Sequence, residues 1–273
     1  MNDKRLIESK LEFLEEMSNR FPTRDDAATE IINLSSILAL PRSIEHFMSD
    51  LHGQADAFNH ILNNASGGIR FRIGQLFDNV LTKEEEDELA TLIYYPREKM
   101  NLVLNSVYNK DNWYRENLLR IIEVAKKFSS RYTRSKVRKI YIDSKLSYII
   151  DEVLNNKIEE ENKNKYYNAI IDTIIKLGYA DKLIIELSSV IKQLAVDELH
   201  IVGDIYDRGP EPHKIMDLLE KFKNFSKKGK LAVLFATAGV IGFTSYCGIR
   251  GHKKDSETKE TKLYLVDITD KYE

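Results

Sequence analysis

Apolar residues recur at helical spacing along most of this chain and contract into short strand-like runs at only three places. Residues 1–40 predict two helices. The first carries Leu6, Leu11, Phe13, Leu14 and Met17; the second, after Pro22-Thr23, carries Ala27, Ala28, Ile31, Ile32, Leu34 and Leu38. Pro41 ends the second, because a residue before proline avoids the helical region. Ile44 to Ser49 is short and partly alternating, which predicts a strand. From about Ala55 to Ala195 nearly every stretch reads as helix. Thr82 followed by Glu85 forms a capping-box signature before Leu89, Leu92 and Ile93. The acidic run Glu84 to Glu88 suits the positive end of that helix. Further stripes lie at Trp113 to Ala125, Leu146 to Leu154, Ile170 to Leu177 and Ile184 to Leu194, with the polar tract Asn155 to Lys165 as an exposed turn.

Helix gives way at Val196 to Gly203, a strand leading into a turn. Pro210 and Pro212 open a helix through Met216, Leu218, Leu219 and Phe222, and Leu231 to Phe235 reads as a further strand. No internal repeat is visible. Strands separated by helices, with one long helical insertion, predict an α/β fold. The expected division is 1–54, two helices and a first strand; 55–195, a helical lobe; 196–240, the second part of the sheet; and 241–273, a divergent tail.

Composition narrows the function classes. The 273 residues are 42% apolar and 31% charged, which fits a soluble globular protein and excludes wholesale disorder. Lys and Arg total 41 against 43 Asp and Glu, and a net charge of -2 points away from nucleic acid. The single cysteine, Cys247, excludes a disulfide framework and favours a reducing compartment; lying in an apolar run, it reads as inert. The N-terminal MNDKRLIESKLEF carries acids where a signal peptide needs an apolar run, so a cytoplasmic location is expected. One stretch competes with that reading. Leu231 to Ile249 runs 19 residues without a charge, flanked by Lys227, Lys228 and Lys230 and by Arg250, Lys253 and Lys254. Its three Gly, two Thr, one Ser and one Tyr also fit a buried strand followed by turn and helix, which is the favoured reading.

Two short segments carry the candidate chemistry. In Ser49-Asp50-Leu51-His52-Gly53, a carboxylate and an imidazole stand two apart at a strand end, where alternation places both on one side. Such a pair can ligate a divalent transition metal, and Gly53 lets the chain turn close to the site. A polar loop after a strand is the plainer alternative. In Gly203-Asp204-Ile205-Tyr206-Asp207-Arg208-Gly209, two carboxylates and an arginine follow a buried strand, at the end where α/β folds build their sites. An Asp can bridge two cations, and Arg can hold phosphate oxygens bidentately.

The pair D-x-H-G and G-D-x-x-D-R-G resembles the calcineurin-like metallophosphatases. The closer resemblance is to one branch, the class III fructose-1,6-bisphosphatases of low-GC Gram-positive bacteria. It rests on Ala28 to Leu34, His46 to Gly53, Leu89 to Pro96, Tyr132 to Lys139 and Leu199 to Pro210, and covers roughly residues 5–220. The long helical insertion between the two motifs, which ordinary metallophosphatases lack, makes it specific. The resemblance implies that Asp50 and His52 bind a first metal and that Asp204 bridges two. It also implies that Asp207 orients a catalytic histidine and that Arg208 contacts phosphate. The implied reaction is hydrolysis of the 1-phosphate of fructose 1,6-bisphosphate, with manganese as the metal.

The chain also departs from that family. The family continues with a strand ending in Gly-Asn-His-Asp, whose Asn binds the second metal and whose His protonates the leaving oxygen. The corresponding run here is Val233 to Gly239, with Thr237 at the Asn and Ala238 at the His. Of later histidines, His213 reads as an exposed helix residue and His252 as part of a solvated basic tail. The resemblance therefore implies a chain truncated after the second motif, with an unrelated tail after about Glu220 and weak or absent turnover. The alternative is a catalytically dead relic that acts as an assembly partner, with itself or with a full-length homologue. Lys126 to Lys139 holds seven basic residues and no acid, and reads as a solvated helix face before an anion site. Tyr94-Tyr95 reads as core or interface.

Overall fold

The computed structural model describes residues 2–155, 161–225, 231–236 and 263–267. Contacts divide the chain into two compact units, Met1–Arg42 and Ser43–Glu273. The first unit is a pair of helices, α1 (Asn2–Arg20) and α2 (Arg24–Leu38). A capping box starts α2: the Thr23 hydroxyl accepts the Asp26 N–H at 3.1 Å, and the Thr23 N–H donates back to the Asp26 carboxylate at 3.1 Å. No residue of α2 is buried, and Ile31, Ile32, Leu34 and Leu38 are exposed.

In the second unit, among the described residues, β1 (Glu45–Ser49) is followed by nine helices before the chain returns to the sheet. These are α3 (Ala55–Asn64), α4 (Gly68–Leu76), α5 (Lys83–Tyr94), α6 (Pro96–Val103), α7 (Lys110–Ser129), α8 (Arg134–Tyr141), α9 (Ser147–Asn155), α10 (Glu161–Lys176) and α11 (Ala180–Ala195). Then come β2 (Glu198–Val202), α12 (Pro212–Phe225), β3 (Leu231–Ala236) and β4 (Leu263–Asp267). The expected capping box of α5 forms: Glu85 N–H donates to the Thr82 hydroxyl at 3.2 Å, and Thr82 N–H donates to the Glu85 carboxylate at 2.9 Å. Among the described residues, 55–195 contain no strand, as the periodicity predicts.

The lobe centres on α11. Its Leu183, Ile184, Leu187, Val190, Ile191 and Leu194 are buried, a stripe broad enough to pack against α5, α6, α7 and α8 at once. Leu118, Ile121, Ile122 and Ala125 of α7 and Leu89, Leu92 and Ile93 of α5 close around it.

The sheet has four strands in the order β1-β2-β3-β4. β1 and β2 run parallel with Glu45 opposite Glu198 and Ser49 opposite Val202. β2 and β3 are parallel, while β4 lies antiparallel to β3. One face packs on a second, smaller core in which Leu199 and Ile201 of β2 meet Phe58 of α3 and Ile215 and Leu219 of α12. The fold is therefore α/β, mostly helical with a small sheet. β4 is an addition to the expected plan, since 241–273 gave no strand signal. The charge-free run was the one membrane candidate. Its first six residues are β3, hydrogen-bonded on both sides, and the remainder, including Cys247, lies outside the described residues. No helix among the described residues is long and apolar enough to cross a membrane.

One polar cluster ties lobe to sheet. The buried Asp197 carboxylate accepts the Ile44 N–H at 2.9 Å, the Tyr132 hydroxyl at 2.6 Å and the Lys136 ammonium at 2.5 Å. Burial, and then the Asp197 charge, push the Tyr132 hydroxyl far above its ordinary pKa, so it remains a donor. A carboxylate taken from water needs such partners. Here they fix the chain just before β1 against the chain just before β2.

Candidate metal and phosphate site

Parallel pairing brings the carboxyl ends of β1 and β2 side by side, and the turns that follow interlock. Asp50 N–H donates to Val202 O at 3.1 Å, His52 N–H to Asp204 O at 3.0 Å and Gly53 N–H to Ile205 O at 2.7 Å. The two glycine-bounded motifs thus hold each other through backbone. A side chain on Gly53 would place its Cβ 2.8 Å from Gly209 O, so the turns approach too closely for anything larger than glycine. Gly203 has φ +98 and lies against the Asp50 carboxylate, which likewise admits only glycine.

Strand alternation does not place Asp50 and His52. β1 ends at Ser49, and both residues adopt left-handed backbone, φ 51 and 45. The interlocked turns set their directions instead. His52 Nδ1 makes a short contact with Asp207 Oδ1. His52, Asp204 and Asp207 each offer a ligand atom within 4.8 Å of the others. Asp50 joins through backbone, its Oδ1 accepting the Asp204 N–H at 3.4 Å. Arg208, at φ 64 and 78% exposed, turns its Nε to Asp207 Oδ2 at 3.0 Å. Hydrogen bonding to His52, and then the charge of Arg208, hold the Asp207 carboxyl below its usual pKa. The site is open: Asp50, Asp204 and Arg208 are exposed, and His52 and Asp207 partly so.

The donor set fits a first-row divalent cation, with one imidazole nitrogen and carboxylate oxygens in reach of a common point. A His52 that donates an Nδ1–H hydrogen bond to Asp207 presents Nε2 as ligand, the usual division of labour between a ligating histidine and its carboxylate.

Other expected residues fall elsewhere. His213 is an exposed residue of α12, as read, and Thr237, Ala238 and His252 lie outside the described residues. Within the basic run, Lys126 pairs with Glu123, Arg134 with Asp151 and Lys136 with Asp197, so these charges serve packing. Tyr94 packs against the lobe core, while the Tyr95 hydroxyl lies 2.6 Å from His60 Nδ1. The sequence reading missed a second group with ligand character, Glu45, Glu198 and His200. Its signal was the alternation of Glu198 and His200 along one strand.

Fold and donor set define an α/β protein with a metal-capable site at the ends of two parallel strands. The chain belongs to the Firmicute fructose-1,6-bisphosphatase family, whose model matches residues 12–234. The match runs past the Glu220 limit expected for the resemblance and stops just before Thr237 and Ala238. Over 213 residues the chain is 46% identical to fructose-1,6-bisphosphatase class 3 of Clostridioides difficile, covering 78% of this chain and 32% of that protein. The corresponding protein of Clostridium tetani is 49% identical over 214 residues, again 78% of this chain and 32% of the relative. That of Phocaeicola vulgatus is 48% identical over 219 residues, 80% of this chain and 33% of the relative. The match thus spans about a third of the length of these curated relatives. No solved structure matches the chain.

Proposed function

We propose that the chain carries the metal- and phosphate-binding part of a fructose-1,6-bisphosphatase site, on a partial metallophosphatase sheet. In this reading residues 1–54 give two helices and the first strand, 55–195 the inserted lobe and 196–240 the second part of the sheet. Asp50, His52 and Asp204 hold divalent metal, with manganese favoured, and Asp207 fixes the imidazole through its contact with His52 Nδ1. Arg208, exposed beside them, swings from Asp207 to the 1-phosphate of fructose 1,6-bisphosphate. When bound, the metal supplies a more acidic water and neutralises charge on the phosphoryl group. The chain's own residues set donor geometry and recruit the anion. The observation that carries this reading is that segments over 150 residues apart bring His52, Asp204 and Asp207 within 4.8 Å, with the Asp50 carboxylate held on the Asp204 N–H beside them.

Turnover by the chain itself is expected to be slow. After the second motif the sequence offers no Gly-Asn-His-Asp, and loss of a general acid alone typically costs about 10²–10⁴ in rate. The experiment is phosphate release from fructose 1,6-bisphosphate in excess manganese, beside Asp204→Asn and with manganese binding measured directly. Manganese binding that Asp204→Asn weakens, with turnover well below about one per second, supports the reading. Absence of manganese binding by the folded chain would overturn it. An assembly role in the cytosol is the second reading, favoured by the open sheet face on which Phe47 is 69% exposed. Self-association by sedimentation, with no metal binding, would select it.

A further inference from the structure

Glu45, Glu198 and His200 stand near the amino ends of the same two strands that carry the motifs at their carboxyl ends. Register sets Glu45 opposite Glu198 and Phe47 opposite His200, so all four project from one face of the sheet. His200 Nε2 lies 3.3 Å from Glu45 Oε2 and 3.9 Å from Glu198 Oε2. One ligand atom from each residue falls within 4.8 Å of the others. The His200 ring is stacked on Phe47, centroids 4.4 Å apart and planes 10° from parallel, which fixes its orientation.

Nε2 of His200 is shielded from solvent and makes no hydrogen bond, because the approach to Glu45 is not aligned as one. A lone pair there faces two carboxylates and is repelled; a proton there lacks an acceptor in line. A divalent cation resolves both states, taking the lone pair and neutralising the carboxylates. Ligand atoms about 2.0–2.2 Å from a tetrahedral centre stand about 3.3–3.6 Å apart. The two observed distances to His200 Nε2, 3.3 and 3.9 Å, are within tenths of an ångström of that range, and the two carboxylates lie within 4.8 Å of each other. One imidazole with two carboxylates favours a zinc-like ion over calcium or magnesium, which prefer oxygen alone.

We infer that Glu45, Glu198 and His200 bind a zinc-class divalent cation that staples the amino ends of β1 and β2. Five-residue strands put this centre about 13 Å along the sheet from the Asp50 and Asp204 turns, so the two sites are separate. The staple acts on the strand register that brings those turns together.

The test uses the full chain carrying Asp204→Asn, which weakens the motif site. Zinc is titrated by calorimetry and cobalt by its visible absorption. One equivalent is expected to bind the Asp204→Asn protein, with cobalt bands of four-coordinate nitrogen and oxygen ligation. Adding His200→Ala is expected to weaken zinc by about tenfold or more. Glu45→Gln, at an exposed position, is expected to do the same while leaving the melting temperature in EDTA unchanged. Affinities within twofold across both additions would overturn the inference, since the zinc would then sit elsewhere. So would failure of zinc to bind the Asp204→Asn protein below millimolar concentration.

Discussion

In the lobe, α11 is enclosed along most of its surface by α5, α6, α7 and α8. In the sheet, one face packs on Phe58, Ile215 and Leu219, while the other leaves Phe47 69% and Val202 37% exposed. Buried apolar area is what stabilises a fold, so the lobe has the means to stand on its core alone. The sheet leans on polar and backbone links: the Asp197 cluster at one end and the interlocked turns at the other. The cluster of His52, Asp204 and Asp207 stands on the less enclosed element, where backbone hydrogen bonds between the turns set its geometry.

That contrast can be broken from the largest expected effect downward. Leu118→Ala, in the middle of the lobe core, is expected to cost about 4 kcal/mol in urea unfolding. Leu199→Ala, in the smaller sheet core, is expected to cost about 2 kcal/mol, because fewer neighbours surround the cavity. Equal losses would show that the sheet is as well packed as the lobe. Asp197→Asn removes the charge that Ile44, Tyr132 and Lys136 serve, and about 2 kcal/mol is expected, limited by the half-exposed lysine. If lobe and sheet were joined mainly by apolar contact, that substitution would be nearly silent. Thr82→Ala, a cap on the lobe surface, should cost about 1 kcal/mol and leave metal binding unchanged.

The smallest effect is a pH dependence on the sheet side. Burial depresses the His46 pKa below its ordinary 6.5, against a weaker opposing hydrogen bond from the ring to the Ala195 backbone. Between 6.5 and the lower folded value the unfolded chain binds the extra proton, so stability falls as pH drops through that window. Melting temperatures of His46→Asn should decline less from pH 7 to 5 than those of the parent. Parallel decline would assign the acid sensitivity to other groups.

Much of this was legible from residue pattern. The helical run 55–195 and the existence of β1, β2 and β3 follow from spacing, though their pairing and direction do not, and Thr82 with Glu85 marked the α5 start at single-residue resolution. Thr23 with Asp26 carried the same kind of signal for α2 and was passed over, since the reading there began from Pro22. Alternation misled at Asp50 and His52 because the strand ends at Ser49, one residue before Asp50, and left-handed backbone takes over. The Glu45, Glu198 and His200 group was hidden for another reason. Cross-strand register joins positions that local periodicity cannot connect. The Asp197 cluster likewise joins Ile44 and Tyr132, whose separate patterns carry no sign of a shared partner.

The pairing of β1 with β2 also dictates an order of events in time. Residues 50–197 must be looped out before Ser49 can meet Val202, and closing so long an unstructured loop costs about 4 kcal/mol. A lobe already folded shortens that tether, because α11 delivers the chain to β2 through only Val196 and Asp197. Lobe contacts should therefore belong to the folding nucleus and sheet contacts to the steps after it. Leu118→Ala is expected to slow refolding in stopped-flow mixing, and Leu199→Ala chiefly to hasten unfolding. The turns that carry Asp50, His52, Asp204 and Asp207 then take shape after the lobe, with their timing governed by helices that contribute no residue to that cluster.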